Sequence, residues 1–129
     1  MDIYQATKQI LQTACPSVDI DNVMFPFTQE NIQSLSIKPR ITYEYSNNTE
    51  QATHQGNSGI HKVQLDINLW GDLDKISSLK NMISATLNAK RITVGDWEFT
   101  LIENMVQDIF EPNITSKRIL MRFTGIAIN

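Results

Sequence analysis

The chain has 129 residues, 41% of them hydrophobic, which is enough for one domain with a single core. Fourteen acidic and eleven basic residues give a formal net charge of -3, which argues against tight non-specific binding to nucleic acid. No stretch approaches the roughly 20 apolar residues of a membrane span, and the single cysteine, Cys15, excludes an internal disulfide.

An N-terminal helix is predicted over residues 2–14. Asp2 and, three residues later, Gln5 match the capping box that begins many helices. One face of this helix would contain Ile3, Thr7, Ile10, Leu11 and Ala14. Cys15-Pro16 then ends the helix. Cys15 is predicted to be a small buried residue, because no basic or histidine neighbour would activate its thiol.

The next segment, residues 18–38, is predicted to be mainly turn and loop. Asp19 and Asp21 lack the further oxygen ligands of a calcium loop, so we expect a turn there. A short strand is predicted at residues 23–25 and a turn of helix within residues 29–37.

A strand is predicted over residues 39–45, where Ile41, Tyr43 and Tyr45 alternate with polar residues. Residues 46–59, which follow, are almost wholly polar and are predicted to form a long hairpin loop. Fixing each backbone residue costs on the order of 1–2 kcal/mol, so ordering this segment would cost roughly 15–25 kcal/mol, with little apolar surface to offset it. We therefore predict that the loop is mobile in the isolated subunit and becomes ordered against a partner.

The centre of the chain is a strand followed by a helix, over residues 60–87. The strand would bury Val63, Leu65, Ile67 and Leu69 on one face. The period changes at Trp70-Gly71-Asp72, and the helix that follows would bury a stripe of Leu73, Ile76, Leu79, Ile83 and Leu87. Trp70 is predicted to cover the start of this helix. Asp72 or Asp74 is predicted to stabilise its first turn.

The last third of the chain is predicted to be strands. Residues 91–94 and 97–101 flank Gly95-Asp96, which suits a type II′ hairpin turn, and a further apolar strand or turn is predicted over residues 105–110. A final strand over residues 116–128 would place Ile119, Met121 and Phe123 on one side and Arg118, Leu120 and Arg122 on the other. The fold class is therefore predicted to be α+β: one domain, mainly antiparallel sheet, with the N-terminal and central helices on one face.

The sequence contains no recognisable catalytic or cofactor motif. Its two histidines, His54 and His61, have no partners at zinc-ligand spacing. Ser58, His61 and Asp66 could be combined into a catalytic triad, but the G-x-S-x-G turn or an equivalent is missing. We therefore predict no enzyme activity, no metal and no cofactor.

The order of these parts resembles the tail terminator (tail completion) proteins of long-tailed bacteriophages. The most characteristic stretch is VQLDINLWG at residues 63–71, which reads like that family's transition from strand to helix. The N-terminal helix, the VMFP stretch at residues 23–26, the strand at 39–45, the long loop, the central helix and RILMRF at 118–123 also fit. Residues 29–38 do not match the family.

The resemblance implies a non-enzymatic virion structural protein that is made in the host bacterial cytoplasm and located in the tail. Such proteins form a closed ring, typically a hexamer, that stops polymerisation of the tail tube and joins the tail to the head connector. The implied partners are further copies of the chain, the major tail tube protein and a head-completion or connector protein. DNA passes through the lumen without sequence-specific binding, and no membrane is involved.

The resemblance also implies two sets of contact residues. The loop that contacts the tube would comprise Asn47, Asn48, Thr49, Glu50, Gln51, His54, Gln55 and Asn57. The candidate subunit interface would comprise Trp70, Arg118, Leu120 and Arg122.

Two other functions fit the same sequence. One is a small ligand-binding or regulatory α+β domain, in which Tyr43, Tyr45 and Trp70 line a pocket. The other is a related neck or head-completion protein of the same particle. The long polar loop also has a simpler explanation, as an insertion that the fold tolerates.

Overall fold

The computed structural model describes residues 1–22, 38–53, 56–109 and 117–129, and in these ranges it contains two helices and six strands. In chain order they are α1 (Ile3–Ala14), β1 (Asp19–Asp21), β2 (Arg40–Thr53), β3 (Gly56–Gly71), α2 (Leu73–Leu87), β4 (Lys90–Val94), β5 (Trp97–Ile109) and β6 (Lys117–Ile128). The predicted α+β fold is confirmed. The predictions for residues 23–37 and for Phe110 lie outside the described ranges.

The strands form one sheet in the order β1-β2-β3-β6-β5-β4. Every neighbouring pair is antiparallel except β1 and β2, which run parallel. The turn predicted at Asp19 and Asp21 is wrong, because both residues belong to β1. Ile20 between them is buried and pairs with Ile41, so this short strand is held by burying one apolar side chain at the sheet edge.

The N-terminal helix begins with the predicted capping box. The backbone N–H of Gln5 donates to Asp2 Oδ1 at 2.8 Å, and the backbone N–H of Asp2 donates to Gln5 Oε1 at 2.9 Å. The helix buries Ile3, Ala6, Thr7, Ile10 and Leu11. Cys15 follows the last helical residue and is buried, as predicted.

The central strand and helix form the core as predicted. Val63, Leu65, Ile67 and Leu69 of β3 are buried with Ile76, Leu79, Ile83 and Leu87 of α2. The stripe on α2 starts one turn later than predicted, because Leu73 is exposed. Asp72 occupies the N-cap position but makes no side-chain cap hydrogen bond. Asp74, in the first turn, is the carboxylate that interacts favourably with the positive end of the helix dipole.

The structure differs most from the prediction at residues 46–59, hereafter the arm. The described arm residues are paired strands instead of a loop: Asn47 pairs with Gln64, Glu50 with His61 and Ala52 with Asn57. Backbone pairing needs no apolar side chains, and a polar sequence can therefore extend an existing antiparallel ladder. No observation tests the mobility of the arm, which stays a prediction. His54 and Gln55 lie outside the described residues.

The last three strands follow the predicted pattern, except that two predicted segments form the single strand β5. Gly95 has φ +57° while Asp96 has negative φ, which fits the predicted type II′ turn between β4 and β5. The segment predicted as a further strand or turn is the continuation of β5, which passes a bulge between Glu103 and Met105. Ile119, Met121 and Phe123 of β6 are buried, as predicted.

Candidate functional site

No described helix packs on the face of the sheet opposite α1 and α2, hereafter the helix-free face, which carries a row of buried polar groups. Asp66, Asn68 and Trp70 alternate along β3 with core residues, so their side chains point to this face. A polar group that is removed from water needs a hydrogen-bonding partner. The partners of this row come from the two neighbouring strands, β6 and β2.

Asp66 forms a two-point ion pair with Arg122. Arg122 Nε donates to Asp66 Oδ1 at 2.8 Å, and Arg122 Nη2 donates to Asp66 Oδ2 at 3.2 Å. The carboxylate is buried and the guanidinium is partly exposed. The hydrogen bond and the negative charge of Asp66 raise the pKa of Arg122. Because both oxygens are engaged, the orientation of the arginine is fixed as well as its charge neutralised.

Arg118 lies four residues from Arg122 on β6, where it pairs with Trp70 of β3. Its Nε donates to Asn68 Oδ1 at 2.8 Å, and its guanidinium carbon lies 4.9 Å from the centre of the Trp70 ring, within cation–π range. The indole N–H of Trp70 donates to Thr42 Oγ1 on β2 at 3.0 Å. Three strands are thus joined by side chains as well as by backbone.

The prediction that Trp70 covers the start of the central helix is wrong. Its side chain lies on the helix-free face, hydrogen-bonded to Thr42, and is 2% exposed. No observation tests whether Trp70 contributes to a subunit interface. Arg118, Leu120 and Arg122 share this face and are partly exposed. Their role in an interface stays a prediction.

The arm presents polar side chains to solvent. Of the residues predicted to contact a tube, Asn47, Asn48, Thr49, Gln51 and Asn57 are exposed and Glu50 is partly exposed. Within the arm, Ser58 Oγ donates to the carbonyl oxygen of Gln51 at 2.7 Å. The arm is therefore an extension of the sheet edge whose side chains can form hydrogen bonds to another molecule.

Three isoleucines form an exposed apolar patch on the helix-free face, hereafter the isoleucine patch. Ile102, Ile126 and Ile128 are 58%, 43% and 40% exposed. Ile126 and Ile128 alternate along β6, and Ile102 pairs with Thr124 beside them on β5. Neighbouring exposed isoleucines are typical of surfaces that contact another protein. The alternation of β6 predicted which of its residues share this face, but no sequence pattern predicted that Ile102 lies beside them.

The three aromatic residues of the proposed ligand pocket do not lie together. The Tyr43 hydroxyl donates to the carbonyl oxygen of Tyr4 at 2.8 Å, and the Tyr45 hydroxyl is hydrogen-bonded to Thr7, so both rings pack under α1. Trp70 lies on the opposite face of the sheet. A cavity of about 220 Å³ is lined by Asp2, Tyr4, Gln5, Lys8, Asp21, Asn22 and Tyr43, and contains neither Tyr45 nor Trp70. Tyr43, Tyr45 and Trp70 therefore do not line the common pocket that the ligand-binding hypothesis predicted.

The catalytic triad that the sequence allowed is not assembled. The ring of His61 packs against Trp97 on the helix side of the sheet, whereas Asp66 points to the helix-free face and binds Arg122. Burial raises the pKa of the Cys15 thiol, which disfavours the reactive thiolate. The described residues contain no group of three or more potential metal ligands. Neither described helix is long and apolar enough to span a membrane.

No protein-family model matches the sequence, and no curated protein matches it either. A chain in a solved structure described as "Virion of native gene transfer agent (GTA) particle" has a similar fold, with a TM-score of 0.65. The match covers 98% of this chain and 95% of that chain, at 10% sequence identity. The two chains therefore correspond from end to end in fold.

Proposed function

We propose that this protein is a virion structural component that closes into a ring at the end of a phage tail tube and joins the tail to the head connector. The observation that carries the proposal is the end-to-end fold correspondence with a chain of a gene transfer agent virion. A component of that kind contacts other proteins of the particle on several sides. The surfaces of this chain are suited to such contacts.

Ring closure requires that each subunit present two different surfaces that fit each other. The two edges of the sheet support this requirement. Among the described strands, β1 covers β2 only from Arg40 to Thr42, and β4 covers β5 only as far as Leu101. No described strand pairs with the outer edge of the rest of β2, including the arm, or with that of the rest of β5, and these two edges lie on opposite sides of the sheet. Open edges can pair with another chain.

The charges of the chain fit a ring through which DNA passes without being bound. The chain is mildly acidic, with a net charge of -3. Arg122 is neutralised by Asp66, and Arg118 is held by Asn68 and Trp70. Both arginines keep their positive charge, but the donors that they use within the protomer are not available to phosphates. The proposal also includes the hexameric stoichiometry, the contact of the arm with the tube and the subunit interface at Arg118, Leu120 and Arg122.

Self-association is the first test of the ring. Light scattering and negative-stain microscopy should show a closed oligomer of one size, either with the protein alone or when purified tail tubes are added. Monomers under both conditions would contradict the proposal. Binding to purified head connectors without binding to tubes would instead assign the protein to the neck or head-completion class.

The arm gives a second test, which separates folding from attachment. Replacing residues 51–60 with an Asn-Gly turn joins Glu50 to His61 across the ladder and removes the tip of the arm. We expect this variant to keep its fold, as a cooperative unfolding transition would show, but not to attach to tubes. The variant Thr93→Ala, on an exposed position of β4, serves as a matched control that should attach normally. Loss of folding in the shortened variant would show that the arm is structural.

A further inference from the structure

His61 lies at the root of the arm, where the arm leaves the rest of the sheet. It pairs with Glu50 on β2 and with Ala127 on β6. Its neighbour Ile60 makes the last pair of the ladder between β3 and β6. Beyond that pair, β3 continues towards the tip of the arm with only β2 as a paired strand.

The His61 side chain binds two residues of β2 and packs on β5. Its Nδ1 lies 2.7 Å from Asn48 Oδ1, and its Nε2 lies 3.3 Å from Glu50 Oε1. The ring centre is 5.2 Å from that of Trp97, whose indole N–H donates to the carbonyl oxygen of Met1 at 2.9 Å. One side chain therefore connects the arm to the body of the protein.

The ladder between β2 and β3 changes register on both sides of the His61 contacts. The register of the ladder shifts between Tyr45 and Asn47 and again between Glu50 and Ala52. A bulge interrupts the ladder and allows the strand to bend. Asn48 and Glu50 lie between the two bulges, on a stretch of β2 that is paired continuously with β3 from Asn47 to Glu50. The His61 contacts therefore add to a paired stretch that can bend at either end.

The arrangement distinguishes the two protonation states of the ring. Both nitrogens face oxygen atoms, and only the imidazolium carries a hydrogen on each nitrogen to donate to both. With a neutral ring, either one nitrogen lone pair faces the Glu50 carboxylate or the Asn48 amide turns over to donate. Glu50 is the charged group that faces the ring, whereas Asn48, Trp97 and Ala127 are uncharged. Met1, whose carbonyl oxygen accepts from Trp97, also carries the titratable α-amino group.

We propose that Asn48, His61 and Glu50 form a protonation-dependent latch that sets the direction of the arm. When His61 is charged, the latch holds the arm in line with the sheet. When His61 is neutral, these side-chain contacts are weaker and the arm bends more freely at the two register shifts. The latch is a property of the single protomer, so it does not depend on the proposed ring, and its test needs no assembled particle.

Amide exchange measured by nuclear magnetic resonance tests the latch directly. Protection factors correct for the intrinsic pH dependence of exchange and can be compared at about pH 5 and about pH 8, between which histidines ordinarily titrate. We expect the protection of the arm amides to fall about five- to tenfold at the higher pH, as the loss of one hydrogen bond to a charged group implies. The amides of β6 from residue 119 to 123 should not change.

Two variants show whether His61 and Glu50 cause the pH dependence of arm protection. His61→Gln should give weakly protected arm amides at both pH values, and Glu50→Gln, at a partly exposed position, should reduce the pH response without affecting the core. A wild-type arm with equal protection at both pH values would overturn the proposal. So would a His61→Gln variant that keeps the full pH response, because the response would then belong to another group such as the Met1 amine.

Discussion

At the scale of single residues, the buried polar groups of the helix-free face are the feature that local sequence patterns could not reveal. Arg122 and Asp66 are 56 positions apart, and Arg118 and Asn68 are 50 apart. The alternation of β6 showed that its basic residues share a face. It could not show that β3 supplies their partners, because strand pairing over such distances depends on the whole fold.

Ala89 has an unfavourable backbone conformation that a substitution can relieve. It follows the end of α2 and has φ +56°, a region that costs an L-residue about 1 kcal/mol and glycine almost nothing. We expect Ala89→Gly to raise the free energy of unfolding by about 0.5–1 kcal/mol in urea denaturation. The control Ala85→Gly, at an exposed position within α2, should lower it by about 1 kcal/mol. Destabilisation by Ala89→Gly would contradict the described geometry.

Tyr43 should make stability depend on alkaline pH. Burial, with smaller effects from the charges of Asp2 and Asp21, raises the pKa of Tyr43 to about 12. An acid whose pKa is raised by folding stabilises the fold below its unfolded pKa of about 10, and this contribution is lost as pH rises from about 10 to about 12. We expect a loss of roughly 2–3 kcal/mol across that interval in urea denaturation.

The variant Tyr43→Phe provides the control for this pH dependence. It removes the titrating hydroxyl together with its hydrogen bond to the Tyr4 carbonyl oxygen. We expect about 1 kcal/mol less stability at neutral pH and a weaker decline above pH 10. An unchanged alkaline decline in Tyr43→Phe would show that other groups cause it.

At the scale of elements, the sequence predicted well those helices and strands that bury an apolar face. The N-terminal helix, the β3–α2 unit and the β4–β5 hairpin were all found from hydrophobic period and turn residues. The arm and β1 were missed for one physical reason. Their pairing depends on backbone hydrogen bonds to a strand that already exists, and a polar or very short segment gives no hydrophobic period that would reveal it.

The apolar stripe of α2 can be tested with two neighbouring residues. Ile83 is fully buried in the core, whereas Met82 is 49% exposed. We expect Ile83→Ala to lower the free energy of unfolding by about 2–5 kcal/mol, because it removes buried methyl groups and leaves a cavity. The control Met82→Ala should change it by no more than about 0.5 kcal/mol. Similar effects of the two substitutions in chemical denaturation would mean that the helix is rotated from its described position.

At the scale of the whole molecule, three features fit the proposed role of a subunit that contacts its neighbours: the sheet edges without a described partner strand, the polar arm and the isoleucine patch. The composition of residues 46–59 predicted a long polar segment, although not its strand pairing, and the family resemblance suggested the proposed role. No sequence pattern predicted the isoleucine patch, because Ile102 and Ile126 become neighbours only when β5 pairs with β6.

The isoleucine patch should be required for assembly and not for folding. Ile126→Asp places a charge on an exposed position of β6. We expect it to weaken self-association by at least about tenfold, because a charge at the centre of a protein contact is costly to desolvate. The control Thr93→Asp adds the same charge on exposed β4. Analytical ultracentrifugation measures both variants, and normal assembly of Ile126→Asp would exclude the patch from the interface.

The length of tail tubes measures the proposed function most directly. The cognate tail tube protein can be polymerised with increasing amounts of this protein, and the tubes measured by electron microscopy. If the protein terminates tubes, their mean length should fall as its molar ratio rises, and a ring should be visible at one end of each tube. Tubes of unchanged length with bare ends would contradict the account.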